Sequence, residues 1–518
     1  MLKHSVLAAA LSAAVAAPQA YAADKKEQKE LAAIRAEIRE MKAAYEARLQ
    51  AMEQRLQQAQ SDSAAAKAQL ATISGGAPSA GAGSPATSGA GAPAAAVATS
   101  ATPATTASAS AVATPVAPAV AAYVESPSAP VATASAGGAN PASNLFNPNI
   151  SMILGGTLQN LKQDPSQYRL QGFAPSGGEV GPGKRGFNLG ESELTMAANI
   201  DPQFAGQLTF SLSGENEVSV EEAFIQTRAM ENGLNIKAGR FLSAIGYLNG
   251  QHAHTWDFVD APLAYQAFLG GQYKPDGVQA KWLAPLDQFL EIGAEAGSGA
   301  AFPGNDRNKN GAGAVSVFAH IGDDIGASSS YRAGLSYLHT AAEKRAYEDE
   351  GLTNNFSGKS NTWIADAIYK WAPNGNPTNT NFKLQGEYFR RKETGTLNYA
   401  VDTDAAASGD YRSVQSGWYL QGVYQFMPTW RAGLRYDRLS SGSPRIGLID
   451  SGALAWANLP ILQAYNPKRT SFMVDYSPSE FSRLRLQLAR DQSRPGVTDN
   501  QIFLQYIMSL GTHAAHSF

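Results

Sequence analysis

The sequence predicts an all-β transmembrane barrel of about 16 antiparallel strands, preceded by an N-terminal coiled-coil helix and a disordered linker. Three observations lead to this prediction. Beyond residue 146, segment after segment alternates polar and apolar residues with a period of two, as half-buried strands do. Long and short connections alternate between these segments, and the chain ends on an aromatic residue, Phe518, after a last amphipathic segment.

The composition limits the functions open to the chain. It has 518 residues, no Cys, and 44 acidic against 41 basic residues, which gives a net charge of −3. This balance gives no basis for a nucleic-acid partner, and the absence of Cys excludes disulfides, thiolate metal sites and Cys nucleophiles. The sequence contains no G-x-S-x-G, H-E-x-x-H or phosphate-loop motif, so we expect no enzymatic activity.

Residues 1–22 have the three parts of a secretory signal. A short basic start is followed by an apolar run over residues 6–17 and by the cleavage pattern Ala20-Tyr21-Ala22. We therefore expect this segment to be removed and the mature chain to be exported. No later stretch of about 18 strongly apolar residues follows, so the sequence predicts no membrane-spanning helix.

Residues 23–60 are predicted to form a coiled-coil helix. Apolar residues recur there at spacings of three and four, at positions 31, 34, 38, 41, 45, 49, 52 and 56. One helix alone cannot bury so narrow a stripe, so the helix is expected to pair with copies of itself. Ile34 and Ile38 occupy successive core positions, which favours trimers or higher oligomers over dimers. A single solvated helix is the alternative.

Residues 61–142 consist almost entirely of Ala, Ser, Thr, Pro and Gly. Between residues 73 and 143 the single charged residue is Glu125 and the single aromatic residue is Tyr123. Such a segment buries too little apolar surface to offset the entropy lost on ordering. We therefore predict a flexible, disordered linker.

Residues 146–518 form the predicted barrel. In 482–488 (SRLRLQL), for example, Arg and Gln lie on one face and Leu on the other. Connections after odd-numbered strands are mostly long, and those after even-numbered strands are short. The long connections expected from this pattern include 163–187, 244–276, 299–311, 343–360, 396–412 and 441–469. A soluble sandwich gives no reason for this alternation, whereas an outer-membrane barrel has short periplasmic turns and long outer loops.

Parts of this region resemble known outer-membrane proteins. VEEAFIQTRAMENGLNIKAGRF at 220–241 and GWYLQGVYQF at 417–426 resemble the phosphate-selective and related substrate-selective porins. FNPNISMILGG at 146–156, the QHAHTWDF loop and the SLGTHAAHSF end more closely resemble proteobacterial outer-membrane proteins often labelled TonB-dependent receptors, some of them zinc-regulated. The porin resemblance implies trimers of sixteen-stranded barrels. A TonB-dependent transporter needs about 22 strands and a folded plug, which favours a porin over a receptor.

The longest predicted connection, 244–276, is the candidate functional element, since the resemblance implies that this third loop folds into the barrel and narrows the pore. Between residues 241 and 273 there is no Lys or Arg. The side chains with acidic or imidazole groups in this stretch are His252, His254, Asp257 and Asp260. A phosphate filter would need Lys or Arg, so this lining favours cations instead.

The two histidines of the loop suggest a metal site. His252 and His254 point the same way if the backbone is extended, so they could share an ion with Asp257 or Asp260. Imidazole and carboxylate groups suit Zn²⁺, Ni²⁺ or Cu²⁺. No cofactor is required on this prediction, and transient zinc binding is the hypothesis. Ordinary packing of a polar loop is the alternative, because an H-x-H pair alone is a weak motif.

The chain ends with a second possible metal pair and an assembly signal. His513 and His516 lie beyond the last predicted strand, at the expected periplasmic mouth, where a solvated end is the alternative. Phe518, the final residue, resembles the signature by which outer-membrane barrels are recognised for assembly.

If the apolar face of each strand contacts lipid, ten charged side chains are predicted to point into the lumen. These are Glu191, Glu193, Glu291, Glu295, Glu387, Lys237, Lys281, Lys383, Arg483 and Arg485. The acids lie mostly on early strands and the arginines on a late one, an arrangement that would set a field across a water-filled pore. Simple solvation of the lumen is the alternative.

These expectations describe an outer-membrane porin of a Gram-negative bacterium that passes small hydrophilic solutes, with cations or divalent metal such as zinc as special cargo. The expected partners are outer-membrane lipids, further copies in a homotrimer and the barrel assembly machinery, with the N-terminal arm in the periplasm. A TonB-dependent-type receptor for metal uptake and a structural barrel anchored to the cell envelope are the alternatives.

Overall fold

The computed structural model describes residues 148–177, 180–190, 192–213, 217–228 and 230–511. This part of the chain is built mainly of antiparallel strands. Several predictions lie outside the described residues: those for 1–22, 23–60 and 61–142 and those for Glu191, His513, His516 and Phe518.

Sixteen barrel strands, β1–β16, follow one another along the chain. Their bounds are β1 Asn149–Leu161, β2 Gly186–Leu189 with Ser192–Asn199, β3 Phe204–Leu212, β4 Val218–Thr227, β5 Leu234–Arg240, β6 Asp276–Leu283, β7 Phe289–Gly297, β8 Ala314–Ile325, β9 Ser329–Asp349, β10 Leu352–Trp371, β11 Asn381–Tyr399, β12 Ala407–Met427, β13 Trp430–Ser440, β14 Lys468–Ser479, β15 Ser482–Gln492 and β16 Asp499–Gly511. Both segments of β2 pair with β1.

The strands close into a barrel. Each pairs antiparallel with the next along the chain. β16 pairs with β1, from Ser151 opposite Gly511 to Leu161 opposite Gln501. The sheet has 18 strand segments, of which two make up β2 and one is a short bridge at Arg445–Ile446 beside β12, so sixteen strands form the wall. The predicted closed antiparallel barrel of sixteen strands is confirmed.

The two faces of the barrel differ in polarity. On β15, Leu484 and Leu486 are 42% and 43% exposed on the outside, whereas Arg483 and Arg485 on the inside are 2% and 1% exposed. The same alternation recurs on β11, where Leu384 is exposed and Glu387 is buried. Successive side chains of a strand point to opposite faces, so an alternating sequence places its leucines outside and its charges inside.

The hairpins formed by β9–β12 correct the prediction for two connections. Residues 343–360 are predicted to be a loop, but β9 and β10 continue through them to a turn at 350–351. Both residues of that turn have positive φ, 50° and 78°, which is the backbone that a tight hairpin needs. Likewise, the predicted connection 396–412 shortens to 400–406. The polar residues of these segments are paired in strands, so their polarity does not mark a loop.

The long connections and helices lie between the strands. The longest connections run over 162–185, 241–275, 298–313 and 441–467. The helices are α1, Leu263–Leu269, and α2, Gly447–Asp450, and 3₁₀ turns lie at Pro165–Gln167, Glu231–Gly233, Ala253–Thr255, Pro373–Gly375, Trp456–Asn458 and Pro460–Leu462. Among the described residues, no helix combines the length and the apolar character needed to cross a membrane.

Candidate functional site

The connection between β5 and β6, residues 241–275, lies inside the barrel; we call it the inner loop. Its helix α1 is buried at every position. Pro262 stands at the N-cap of α1, and Gly270 at the C-cap has φ of 69°, the left-handed conformation that ends many helices at glycine. The loop therefore has a folded core of its own within the lumen.

Aromatic packing fixes α1 against one side of the barrel. The ring of Tyr265 meets that of Phe389 edge-on, with the ring centroids 5.1 Å apart. Phe268 stacks on the same Phe389 at a centroid distance of 5.8 Å, and all three rings are fully buried. Because Phe389 belongs to β11, the helix is held by strand side chains that face inward.

A carboxylate on the same strand holds the start of the inner loop. The Tyr265 hydroxyl donates to Glu387 at 2.9 Å, and the backbone N–H groups of Tyr247 and Leu248 donate to it at 3.2 and 3.0 Å. Gly246 precedes these donors with φ of 70°, and a Cβ there would lie 2.4 Å from Glu387 Oε2. Only glycine allows the backbone to approach the carboxylate this closely.

Across the lumen, the inner loop contacts an acidic wall, which we define as Glu193 on β2, Glu221 and Glu222 on β4 and Glu295 on β7. His254 Nδ1 lies 2.7 Å from Glu193 Oε1. His252 Nδ1 lies 3.1 Å from Glu193 Oε2 and 3.2 Å from Glu221 Oε2, while its Nε2 lies 3.2 Å from Glu222 Oε2. Both nitrogens of His252 therefore face carboxylates.

The carboxylates determine the charge of His252. Burial would lower the pKa of this imidazole, but the neighbouring charges of Glu193 and Glu221 outweigh burial and raise the pKa well above its ordinary value. A carboxylate only accepts hydrogen bonds, so an imidazole between carboxylates is most stable when both nitrogens carry a proton. His252 is thus an imidazolium in this arrangement.

Neutral groups of the inner loop also donate to the acidic wall. Glu295 accepts from the Ser243 hydroxyl at 2.5 Å and from the Ala244 N–H at 3.0 Å. Glu222 accepts from the Leu242 N–H at 3.0 Å. The loop is therefore hydrogen-bonded to the acidic wall from its first residues onward.

The part of the inner loop that follows the two histidines contacts a basic wall, formed by side chains of β11 and β13–β15. Asp257 lies 2.6 Å from Lys383 Nζ and 3.3 Å from Arg431 Nη1. Asp260 lies 2.7 Å from Arg435 Nη2 and 2.6 Å from Arg469 Nη1. The basic wall consists of Lys383, Arg431, Arg435, Arg469, Arg483 and Arg485.

The basic wall holds both aspartates in their ionised form. Burial would raise the pKa of Asp257, but Lys383 and Arg431 outweigh burial and lower it. Burial likewise opposes Arg469 and Arg435 at Asp260, and the net pKa is again below the ordinary 3.8. The two loop aspartates are thus buried anions with permanent cationic partners.

The structure places the four loop residues named from the sequence in two separate groups. It brings His252 and His254 together, with ring centroids 5.6 Å apart. Asp257 and Asp260 do not join them, because each pairs with cations of the basic wall. The structure therefore does not bring an aspartate of the loop to the two histidines, and metal binding by the histidines stays a prediction.

Sequence reasoning missed Glu221 and Glu222, which take the place of those aspartates. In the pairing of β3 with β4, Thr209 lies opposite Glu222 and Phe210 opposite Val220, so Glu221 is the extra residue of a β-bulge. The bulge turns two consecutive carboxylates inward, and both are 0% exposed. A strict period of two would have placed one of these carboxylates on the outer face of the strand. The only sequence signal for the bulge was the presence of two consecutive acidic residues within a strand.

Nine of the ten predicted lumen charges lie within the described residues, and six of these contact the inner loop. Glu193, Glu295, Glu387, Lys383, Arg483 and Arg485 contact the inner loop. Of the others within the described residues, Lys281 lies 2.8 Å from Glu291, and Glu291 lies 3.2 Å from His320 Nδ1. Lys237 Nζ lies 4.2 Å from the centre of the Phe224 ring.

Comparison with solved structures finds outer-membrane proteins at low similarity. A loop-deletion mutant of OmpT of Vibrio cholerae is 11% identical, with a TM-score of 0.45 over 70% of this chain and 99% of that one. The outer-membrane channel DcaP of Acinetobacter baumannii is 11% identical, with a TM-score of 0.43 over 70% and 97%. An anion-selective porin from Comamonas acidovorans is 10% identical, with a TM-score of 0.40 over 70% and 99%.

Sequence comparison gives a relative but no family model. No family model matches the chain. A protein of Aquifex aeolicus (strain VF5), described as uncharacterized, is 30% identical over 404 residues, which cover 72% of this chain and 80% of that one. With identity at this level over most of both chains, the protein belongs to the same family as this Aquifex aeolicus protein.

Proposed function

We propose that the chain is a porin-type channel of the Gram-negative outer membrane, in which the inner loop restricts the passage of small hydrophilic solutes. The observation that carries this proposal is a closed sixteen-stranded barrel with an apolar outer face and a charged inner face, crossed by a loop that contacts opposite walls.

The outer face suits a membrane. Exposed apolar side chains stand on strands all around the barrel, for example Leu154 on β1, Ile292 on β7 and Leu420 on β12. A closed barrel satisfies its backbone hydrogen bonds between strands, so it can cross the hydrocarbon layer. We infer that lipid covers this apolar surface.

The lumen suits a restricted aqueous path. Barrels of about 16 strands are wide enough for a water-filled channel, and the charged side chains inside need water or partners. The inner loop joins Glu193 on β2 to Glu387 on β11, which lie on opposite sides of a sixteen-stranded circle. A loop that reaches both sides leaves solutes only the space beside it.

The charges of the inner loop change the expected selectivity. Asp257 and Asp260 are neutralised by the basic wall, so they do not present free negative charge to a solute. Carboxylates are concentrated on the acidic wall, where Glu193, Glu221 and Glu222 are all buried. We propose that any preference for cations arises at this wall.

Planar-bilayer conductance of the refolded full-length chain tests the proposal. We expect the wild-type protein to give small single-channel conductance steps, in groups of three if the channel is a homotrimer. A variant in which a short Gly-Ser linker replaces residues 250–272 should give conductance steps that are several-fold larger. Reversal potentials in a salt gradient report the preference for cations. Equal steps from both proteins would contradict restriction by the loop, and no steps from either would contradict a channel.

Two alternatives have specific outcomes in the same experiment. A structural barrel sealed by its loop would conduct only after residues 250–272 are removed. A TonB-dependent-type receptor would need about 22 strands, and the barrel has sixteen. That difference favours the channel over the receptor.

A further inference from the structure

The acidic wall gathers three buried carboxylates around one imidazole, and the ammonium groups of Lys237 and Lys274 lie near them. Glu193, Glu221 and Glu222 are 2%, 0% and 0% exposed and converge on the single ring of His252. Lys274 Nζ lies 3.6 Å from Glu221, at a distance longer than a hydrogen bond. Buried charge is stable only when it is paired. A bound cation would give these carboxylates a further partner of opposite charge.

The side chains of Glu193, His252 and His254 lie nearly as close together as the ligands of one metal ion. One donor atom each from Glu193, His252 and His254 lies within 4.8 Å of the others. Ligands that lie about 2.0–2.2 Å from one ion are necessarily within about 4.4 Å of each other. Small side-chain movements would therefore let one ion reach all three, and two of the three sit on one short turn of the inner loop.

The orientation of His252 fits a metal ligand with a supporting carboxylate. Its Nδ1 points to Glu193 and Glu221, while its Nε2 lies 3.2 Å from Glu222. In many metal sites the second nitrogen of a ligating imidazole donates to a carboxylate, which fixes the ring and its tautomer. Glu222 is placed to do this, since an N–H at Nε2 leaves Nδ1 free to bind an ion.

We propose that Glu193, His252 and His254 bind a divalent first-row transition-metal ion, with Glu221 beside the ion and Glu222 as the positioning residue for His252. Two imidazoles with carboxylate oxygen suit Zn²⁺ and its neighbours better than Ca²⁺ or Mg²⁺, which prefer oxygen ligands alone. An imidazole binds a metal ion through a nitrogen that carries no proton, so the ion would bind His252 through a deprotonated Nδ1.

The site would connect the inner loop to the wall. His252 and His254 belong to the loop, and Glu193 and Glu221 belong to β2 and β4. One bound ion would therefore hold the middle of the loop against the acidic wall and stabilise the restricted state. The effect on passage rests on the proposed channel function, whereas metal binding itself does not.

Zinc binding to the refolded full-length chain tests the site. We expect one Zn²⁺ per chain, measured by elemental analysis after dialysis and by calorimetry. His254→Ala and His252→Ala should each weaken binding by more than about tenfold, and Glu222→Gln by about tenfold, since losing a supporting carboxylate costs about 10–100-fold.

Matched controls separate this site from other histidines and from misfolding. His339 lies on β9 outside the cluster, and His513 and His516 lie outside the described residues. The variant His339→Ala and the double variant His513→Ala with His516→Ala should each keep one Zn²⁺ per chain. Heat-modifiable migration on gels reports whether each variant forms a barrel. If His254→Ala fails to fold, the conservative His254→Gln and Glu222→Gln variants take its place.

Several outcomes would overturn the site. Wild-type protein without stoichiometric zinc would mean that His252 serves only as an imidazolium ion pair. Unchanged affinity in folded His252→Ala and His254→Ala variants would place the zinc elsewhere. Conductance without zinc binding would contradict the metal site and leave the channel, whereas zinc binding without conductance would contradict the channel and leave the site.

Discussion

The acidic and the basic wall hold the same loop in different ways. At the basic wall, Asp257 and Asp260 are anions between arginines and a lysine, so both partners carry permanent charge. At the acidic wall, the carboxylates meet two imidazoles, hydroxyl groups and backbone N–H groups. The loop residues that face each wall are matched to its charge.

This difference indicates which contact of the inner loop is constant and which can change when a ligand binds. Salt bridges between buried Asp and Arg depend on both partners at all times, so the basic wall is a constant anchor. On the proposed metal site, an ion binds among the carboxylates of the acidic wall while the wall keeps its other hydrogen bonds to the loop. If a ligand changes the passage of solutes through the proposed channel, we therefore expect it to act at the acidic wall.

The largest effect is expected from Asp260→Ala at the basic wall. The substitution removes one of the two carboxylates that face Arg435 and Arg469 and leaves them Asp437, at 3.1 and 3.7 Å. Removing one member of a buried ion pair costs about 3–5 kcal/mol. Because Asp437 still faces both arginines, the free energy of unfolding in urea should fall by an amount near the lower end of that range, and the loop should loosen. Urea titration of folded protein in detergent, followed by tryptophan fluorescence, measures this.

An exposed aspartate provides the control for this substitution. Asp404 lies in the connection 400–406 and is exposed, so Asp404→Ala should leave the unfolding midpoint nearly unchanged. A loss of stability below about 1 kcal/mol for Asp260→Ala would show that water replaces the aspartate, and the basic wall would no longer count as the stronger anchor.

A smaller effect is expected from Glu295→Gln at the acidic wall. Glu295 accepts from Ser243 and Ala244 of the loop and from the Ser316 hydroxyl of β8. Glutamine keeps one acceptor oxygen and leaves the donors that faced the other without a partner, at a cost of about 1–3 kcal/mol. The same urea titration applies. A larger loss than for Asp260→Ala would reverse the comparison between the walls.

The smallest effect is expected from pH at the basic wall. Asp257 and Asp260 have pKa values below the ordinary 3.8 in the folded protein. A lowered folded pKa contributes stability that is fully present above the unfolded pKa and is lost as pH falls through the folded value. The stability difference between wild type and Asp260→Ala should therefore be constant from pH 7 to about 5 and shrink only below the ordinary aspartate range.

Thermal or urea unfolding of both proteins at three pH values measures this difference. The groups that face the two aspartates are Lys383, Arg431, Arg435 and Arg469, with Gln421 and Gln487 as neutral partners. Lysine and arginine side chains ordinarily keep their charge throughout the mildly acidic range, and glutamine carries none. A difference that shrinks already between pH 7 and 5 would mean that the aspartates are not held ionised by the basic wall.

The barrel could be predicted because its causes are local. The alternation in SRLRLQL at 482–488 determines which face of that strand is apolar. The same alternation in successive segments gives the sheet one apolar and one polar face, as a closed barrel has. The prediction of a loop at 343–360 was wrong for a related reason. Its residues also alternate, with Arg345 and Tyr347 buried inside, but their polarity resembled that of a loop.

The candidate site could be predicted only in part. The inner loop and its histidines were expected, since their spacing is visible in QHAHTWDF. Their carboxylate partners were not, because Glu193 and Glu221 lie on other strands and a β-bulge turns Glu221 inward. The arginine partners of Asp257 and Asp260 are likewise distant in sequence, so the loop seemed to carry free negative charge.

The sequence by itself determined the sixteen-stranded barrel, the faces of its strands and the position of the long loop between β5 and β6, because these follow from period-two patterning and from the lengths of connections. Tertiary structure alone decided which charges meet. Long-range pairing across the lumen assigned the histidines to glutamates and the aspartates to arginines, since buried charges require opposite partners and only the closed barrel brings those partners together.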